Sequence, residues 1–388
     1  MKTLSFEGNG LEYFKIWIVN VLLTIITIGI YYPWAKVRNN RYFYANSKLE
    51  EKSFEYHATG KQLFFGYVIA SALLTVYFMI SEMFVLGQII FVAGFLLALP
   101  WILWRSMRFN LNITSFSNVK FKFDGKLGGL YFIFFVYPLI FFMAIGMTIW
   151  AVSLMDIFII NIIAPIVIIA ISMYALSYFK MKNSSYRINA SKFGQGEFKT
   201  NLEAKGFLSI SIKTILISLL TFLVGIGLLG LFELETLKSL DAAFFTKLLE
   251  NLENPAVIME MFMPFQTLLI GFYIIGIIVS VLAISYNTTR TREYIYGNTT
   301  LDEDINFEST IKFLKLTFII LTNFLIILLT LGLAIPWVKV RLTRYMLENT
   351  HISSTTDLKT YISQKQNKES AVGEEIGDAF DVDAGIAL

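Results

Sequence analysis

The strongest constraint on this chain is a set of windows of about 20 residues that carry almost no charge, the length a helix needs to cross roughly 30 Å of hydrocarbon. Eight such segments run at about 14–32, 63–80, 84–104, 130–152, 157–179, 207–232, 265–286 and 313–337, and the charges gather between them. Phe207 to Phe232 and Phe265 to Tyr286 are continuously apolar without alternation, so they read as helices and not as strands of a membrane barrel. The expected fold class is all-α: a polytopic integral membrane protein with eight hydrophobic segments. Six to eight of them cross, the first and last being either spanning or re-entrant.

Composition excludes several other classes. Hydrophobic residues make up 56% of the 388, more than a soluble surface absorbs. A formal charge of +3, with the basic residues beside apolar segments, argues for membrane anchoring and against nucleic acid. Cysteine is absent, and His57 and His351 lack metal-ligand spacing, so no metal or other cofactor is expected. The sequence has no Ser–His–Asp set and no phosphate-binding loop, which weighs against an enzyme. The first segment lacks a small-residue cleavage site and is expected to be retained. Residues 357–388 turn polar and then acidic, with Glu374, Glu375, Asp378, Asp381 and Asp383, and read as a flexible cytoplasmic tail. That leaves 1–356 as a transmembrane domain.

This domain contains five copies of one pattern. Pro33-Trp34 is followed by Arg38 and Arg41, Pro100-Trp101 by Arg105 and Arg108, and Pro336-Trp337 by Arg341 and Arg344, with identical spacing. Counting from the tryptophan, an aromatic falls eight residues on, a Ser or Thr thirteen on and a bulky apolar residue fifteen on: Tyr42, Ser47, Leu49; Phe109, Thr114, Phe116; Tyr345, Thr350, Ile352. Two weaker copies start at Tyr178 (Lys182, Tyr186, Ser191, Phe193) and Tyr286 (Arg290, Tyr294, Thr299, Leu301). Steps of four and eight keep the ring, the base and the second ring on one helical face, as suits a helix leaving the bilayer. The Ser or Thr then begins a short extended segment. Phe54, Phe121 and Phe198, five residues past the apolar position, suggest a juxtamembrane hairpin. Two readings of the motif stay open: topology and anchoring, or convergence of Trp34, Arg38, Arg41, Trp101, Arg105, Arg108, Trp337, Arg341 and Arg344 on anionic lipid headgroups.

The basic exits are expected in the cytoplasm together with both termini, and the acidic 233–264 connection outside. Simple counting then fails, because eight single crossings put the first and last exits on opposite sides although they are the closest copies. Re-entry of the first and eighth segments removes the conflict, with Asn20 and Asn323 near the tips as candidate intramembrane polar groups. Lys15, Lys213 and Lys315 sit near segment ends, where they can snorkel.

The string from Asn20 through Thr27-Ile28-Gly29 to Pro33-Trp34, followed by Arg41-Tyr42-Phe43-Tyr44-Ala45-Asn46, closely resembles the YjgN-type family of bacterial inner-membrane proteins. The likeness extends to Phe121-Lys122-Phe123, Asn349-Thr350 and the acidic end. It implies a plasma-membrane location in a bacterium and carries no catalytic residues, the family being one of unknown function. The functional expectation is a transporter or channel-like protein. The alternative is a structural or regulatory membrane protein that binds anionic lipid and, through its tail, a cytoplasmic partner.

Overall fold

The computed structural model describes residues 1–83, 85–155, 158–239, 241–252, 254–354 and 360–365, so the acidic end expected as a tail lies outside the described residues from 366 onward. Two compact units emerge: Met1–Leu208 with Arg292–Ile311 and Leu325–Leu388, and Ser209–Thr291 with Lys312–Phe324.

The all-α expectation is overturned by a large sheet in the first unit. Its strands are β1 (Lys2–Thr3), β2 (Ser5–Phe6), β3 (Ser47–Leu49), β4 (Lys52–Tyr56), β5 (Thr114–Phe116), β6 (Val119–Phe123), β7 (Ser191–Phe193), β8 (Gly196–Thr200), β9 (Thr299–Leu301), β10 (Ile305–Ser309) and β11 (Thr350–Ser354). The sheet has eleven strands in the order β1-β11-β10-β9-β8-β7-β6-β5-β4-β3-β2, with every recorded pair antiparallel. The two end strands are consecutive pieces of one segment, separated by Leu4 alone. Lys2 and Thr3 pair with Ile352 and His351, while Ser5 and Phe6 pair with Lys48 and Ser47. The Leu4 amide also donates to the Thr350 carbonyl at 3.1 Å. The sheet is therefore a ring closed by residues 2–6, and closure removes the exposed edges an open sheet would present. None of these strands exceeds five residues, too short for a period of two to stand out beside long apolar windows.

Each copy of the repeat supplies a hairpin to this ring. The connections Glu50-Glu51 and Ser117-Asn118 have both φ values positive, between 50° and 68°, the conformation that a two-residue hairpin loop requires. The fifth copy is split. Its first strand is β11, and its second is the segment 2–6 from the other end of the chain.

Helices join the hairpins: α1 (Gly10–Ile26), α2 (Tyr32–Asn46), α3 (Gly60–Met83), α4 (Val85–Asn112), α5 (Leu127–Tyr131) and α6 (Tyr137–Ser153), then α7 (Phe158–Asn189). A π-helical stretch, Phe132–Val136, links α5 to α6 just before Pro138, whose missing amide frees the preceding turn. Helix α8 (Ala204–Phe232) continues from the sheet, its residues from Ser209 on belonging to the second unit. The acidic connection forms α9 (Leu234–Lys238), α10 (Ala242–Glu250) and α11 (Pro255–Phe262), and α12 (Gln266–Gly297) leads back. Gly225 faces Ile275 and Gly271 faces Leu229, so the absent side chains let α8 and α12 approach closely. Helices α13 (Phe313–Leu329) and α14 (Ile335–Glu348) follow.

Six helical stretches among the described residues are long and apolar enough to cross a membrane: Gly60–Ile80, Leu86–Asn112, Leu127–Ser153, Ile163–Asn189, Ala204–Phe232 and Pro255–Gly297. The first and last apolar segments behave differently. Helix α1 has 17 residues, or about 25 Å at the helical rise of about 1.5 Å per residue, and ends in a turn at Thr27. Gly29 (φ 88°) and Gly332 (φ 89°) occupy left-handed positions after Ile28 and Leu331, which are themselves left-handed and 91% and 92% exposed. Thr27 Oγ1 accepts from the Tyr31 amide (3.0 Å) and Thr330 Oγ1 from the Ala334 amide (3.1 Å), so both turns are built alike. Because β2 pairs with β3 and β10 with β11, the chain that departs at each place returns to the neighbouring strand.

Glycines at the starts of two helices set how closely they pack. A Cβ on Gly60 would enter the ring of Trp34, and one on Gly10 the ring of Trp337. Gly60→Val is expected to destabilise the protein by about 1–3 kcal/mol through overpacking. Gly66→Ala, which meets nothing within 4 Å, should leave the thermal midpoint in detergent unchanged. Equal midpoints for the two variants would refute this packing role.

Candidate functional site

The side chains of a strand alternate between two faces, and here one face carries a continuous apolar belt. Phe54 pairs with Phe116, Phe121 with Phe193, Phe198 with Leu301, and Phe307 with Ile352, while Leu4 and Leu49 complete the circle where the N-terminal segment meets β3. Ring centroids lie 4.7 Å apart for Phe54–Phe116 and 5.0 Å for Phe121–Phe193, within the range of favourable aromatic contact. The opposite face is polar. Lys192 reaches Asp124 (2.8 Å) and Glu197 (3.3 Å), and Lys199 reaches Glu303 (2.7 Å). Hydrogen bonds from Lys192 to those two carboxylates raise its pKa above the usual lysine value.

This apolar circle bounds a chamber of about 740 Å³. The eleven strand pieces make ten strands, because β1 and β2 are one, and a ten-stranded ring leaves a wider interior than the eight strands whose side chains just fill a barrel. At the helix end the lining turns partly polar, with Asn110, Thr114, Ser184, Arg187, Ser191 and Thr350. The recurring hydroxyl of the motif has a local task. Ser47, Thr114, Ser191, Thr299 and Thr350 each donate to the carbonyl four residues back at 2.7–2.9 Å, satisfying the last turn of the preceding helix.

At the other end the expected tail begins with a helical turn, 360–365. Tyr361 and Ile362 are 7% and 4% exposed and join the apolar cluster. Asp302, in the three-residue β9–β10 connection, accepts from Tyr361 Oη (2.8 Å), Lys365 Nζ (2.6 Å) and the Glu197 amide (2.8 Å). Burial pushes the Asp302 pKa up, the three hydrogen bonds pull it down, and the balance holds it below the usual carboxylate value.

The residues singled out by the motif turn out to hold the ring together. Arg41 donates to the Ala58 carbonyl and Arg344 to the Gly8 carbonyl, both at 2.8 Å, joining equivalent points of the first and fifth copies. Arg105 stacks over Trp101 at 5.8 Å and Arg108 over Trp104 at 5.3 Å. Trp34 packs on Phe64 and Trp337 on Phe14, while Arg38 is exposed and Arg341 half-buried. The second aromatic ties adjacent copies: Tyr42 donates to the Asn9 carbonyl and Tyr186 to the Lys126 carbonyl, each at 2.8 Å. Asn20 is 2% exposed, lies within α1 short of the turn, and donates to Asn39 Oδ1 at 2.9 Å. Asn323 is likewise buried, within α13. Neither asparagine lines the chamber. The sequence reading singles out neither Arg187 nor the apolar circle as a site, although the apolar position of each copy and the phenylalanine five residues on in three of them carry the signal. Among the described residues no group of three or more His, Cys, Asp or Glu is placed to hold a metal ion.

Comparison with known proteins agrees with the membrane architecture. A family model described as a bacterial protein of unknown function (DUF898) matches residues 1–379. The inner membrane protein YjgN of Escherichia coli O157:H7 is 28% identical over 383 residues, which cover 94% of this chain and 92% of that protein. The inner membrane protein YjgN of Salmonella typhimurium LT2 is 28% identical over 366 residues, covering 92% and 89%. No solved structure matches.

Proposed function

We propose, for a chain that belongs to the YjgN/DUF898 family of bacterial inner-membrane proteins of unknown function, that the closed sheet is a receptacle for an apolar ligand taken from the bilayer. The observation that carries this reading is the chamber. Pockets of about 300–1,000 Å³ with mostly apolar walls and a few placed polar groups are typical of small-molecule sites. With ten strands the ring is too wide for its own side chains to fill, so its interior is open to a ligand. The basic exits beside the strands favour a cytoplasmic position for the sheet and for both termini, at the inner leaflet.

The transporter or channel-like expectation narrows accordingly, from a polar route past Asn20 and Asn323 to movement of an apolar molecule between bilayer and chamber. The pairing of Asn20 with Asn39 supports that narrowing. The test is photolabelling in nanodiscs with hexadecanol bearing a terminal diazirine. Label is expected in the strand peptides containing Phe54, Phe121 and Phe198, with competition by excess hexadecanol. Label confined to the membrane-crossing helices would refute the reading.

A further inference from the structure

The five copies act as an internal control on one another. Each copy contributes apolar residues to the belt on the inner face, Leu49, Phe116, Phe193, Leu301 and Ile352 among them. One layer higher, nine residues after the origin of the motif, the copies carry Phe43, Asn110, Arg187, Ile295 and Met346. Three are apolar. The polar pair belongs to the second and third copies, which are neighbours in the ring because β6 pairs with β7. Both Asn110 and Arg187 line the chamber.

Closing the ring does not need this asymmetry. Ser191 bonds the Arg187 carbonyl, a task of the main chain that any residue at 187 would allow. The side chain of Asn110 donates to Ser106 Oγ at a long 3.3 Å. Arg187 is the one charged side chain among the described residues of the lining, and no Asp or Glu is among them. The acids near this part of the sheet, Asp124 and Glu197, are engaged with Lys192 on the outer face. A cation at the polar rim of an apolar chamber, with no carboxylate in that rim, is complementary to a molecule with an anionic head and a hydrocarbon body.

We propose that the chamber takes a single-chain amphiphile whose anionic oxygen headgroup is bound by Arg187 with Asn110 at the helix end, its chain running along the apolar circle toward Tyr361 and Ile362. The assignment rests on the reading of the chamber as a binding site. It names the shared chemistry of a fatty carboxylate and a lipid phosphate.

The experiment is competition against the hexadecanol photolabel, in nanodiscs of neutral lipid, by hexadecanoate, hexadecyl phosphate and hexadecanol. At least one anion is expected to compete roughly tenfold to a hundredfold better than the alcohol, the range for a hydrogen bond to a charged group. Whichever anion is stronger identifies the headgroup. Arg187→Gln should abolish the preference for the anion, and displacement of the label by hexadecanol, even if weakened, shows that the variant is folded. Arg187→Lys should retain part of the preference. Equal competition by all three in the unaltered protein, or a preference that survives Arg187→Gln, would overturn the headgroup assignment and leave the chamber standing. Absence of competition by any of them would remove both.

Discussion

Deletion of residues 1–6 is expected to be the most damaging small change to this protein. These residues form the one segment that pairs with both β11 and β3, so their loss turns a closed ring into an open sheet with two free edges. Phe6 is 4% exposed and packs with Tyr13 and Val340, and truncating a buried phenylalanine alone costs about 3–5 kcal/mol. Leu4 adds a lost contact to the apolar circle. The unfolding midpoint in detergent should fall sharply, and new protease cleavage should appear in 47–56 and 350–354. Aggregation should rise as well, because the freed edges pair with other chains. A peptide of residues 1–8 supplied in trans should partly restore protection by adding the missing strand. A truncated protein with the original midpoint and protease pattern would show that the ring does not depend on this closure.

The second large effect concerns the turn at 360–365. Asp302→Ala leaves the hydroxyl of Tyr361 and the ammonium of Lys365 without their acceptor, and the side chain of Lys365 is only 13% exposed. Allowing for solvent around Asp302, docking of the turn should weaken by about 1–2 kcal/mol, or roughly tenfold in its opening equilibrium. Because the chain has no cysteine, Ile362→Cys provides a single reporter. Its alkylation at neutral pH should be slow in an otherwise unaltered protein and roughly tenfold faster with Asp302→Ala. The same carboxylate makes docking sensitive to acid. Its folded pKa lies below the ordinary 3.8, so its contribution is complete above that value and is lost as pH falls through the lower folded one. Hydrogen exchange in 360–365 should therefore quicken only in strong acid. Identical alkylation with and without Asp302 would mean that this contact does not hold the turn.

Much of the ring was legible in the sequence one copy at a time. The spacing from Trp34 to Ser47 and Leu49, repeated at Trp101 and Trp337, marks a helix end and the first strand, and Phe54, Phe121 and Phe198 mark the second. Closure was not legible, for a physical reason. Strands of two to five residues carry too few alternations to declare a sheet, and their partners lie in other copies or at the far end of the chain. Thr3 meets His351 across 348 positions of sequence, a pairing that no local pattern encodes. The motif arginines were conspicuous because they recur, and recurrence is what a scaffold produces: Arg41 and Arg344 perform the same bond in two copies. Arg187 was inconspicuous for the complementary reason. It lies in a degenerate copy, and only superposition of the copies shows that its position is usually apolar.

The split fifth copy also sets a clock. The segment 2–6 leaves the ribosome long before one of its two partners, β11, which begins at Thr350, so the ring stays open while the intervening chain is made. At about 5–20 residues per second that interval is roughly 20–70 s, long compared with the formation of any single hairpin. Until then the N-terminal strand can pair only with β3, and the apolar inner face is exposed to water on the sheet side of the bilayer. Birth of the chamber is therefore tied to the synthesis of β11, and a nascent chain stalled before residue 350 presents an unfinished arc of strands to whatever chaperones wait at that surface.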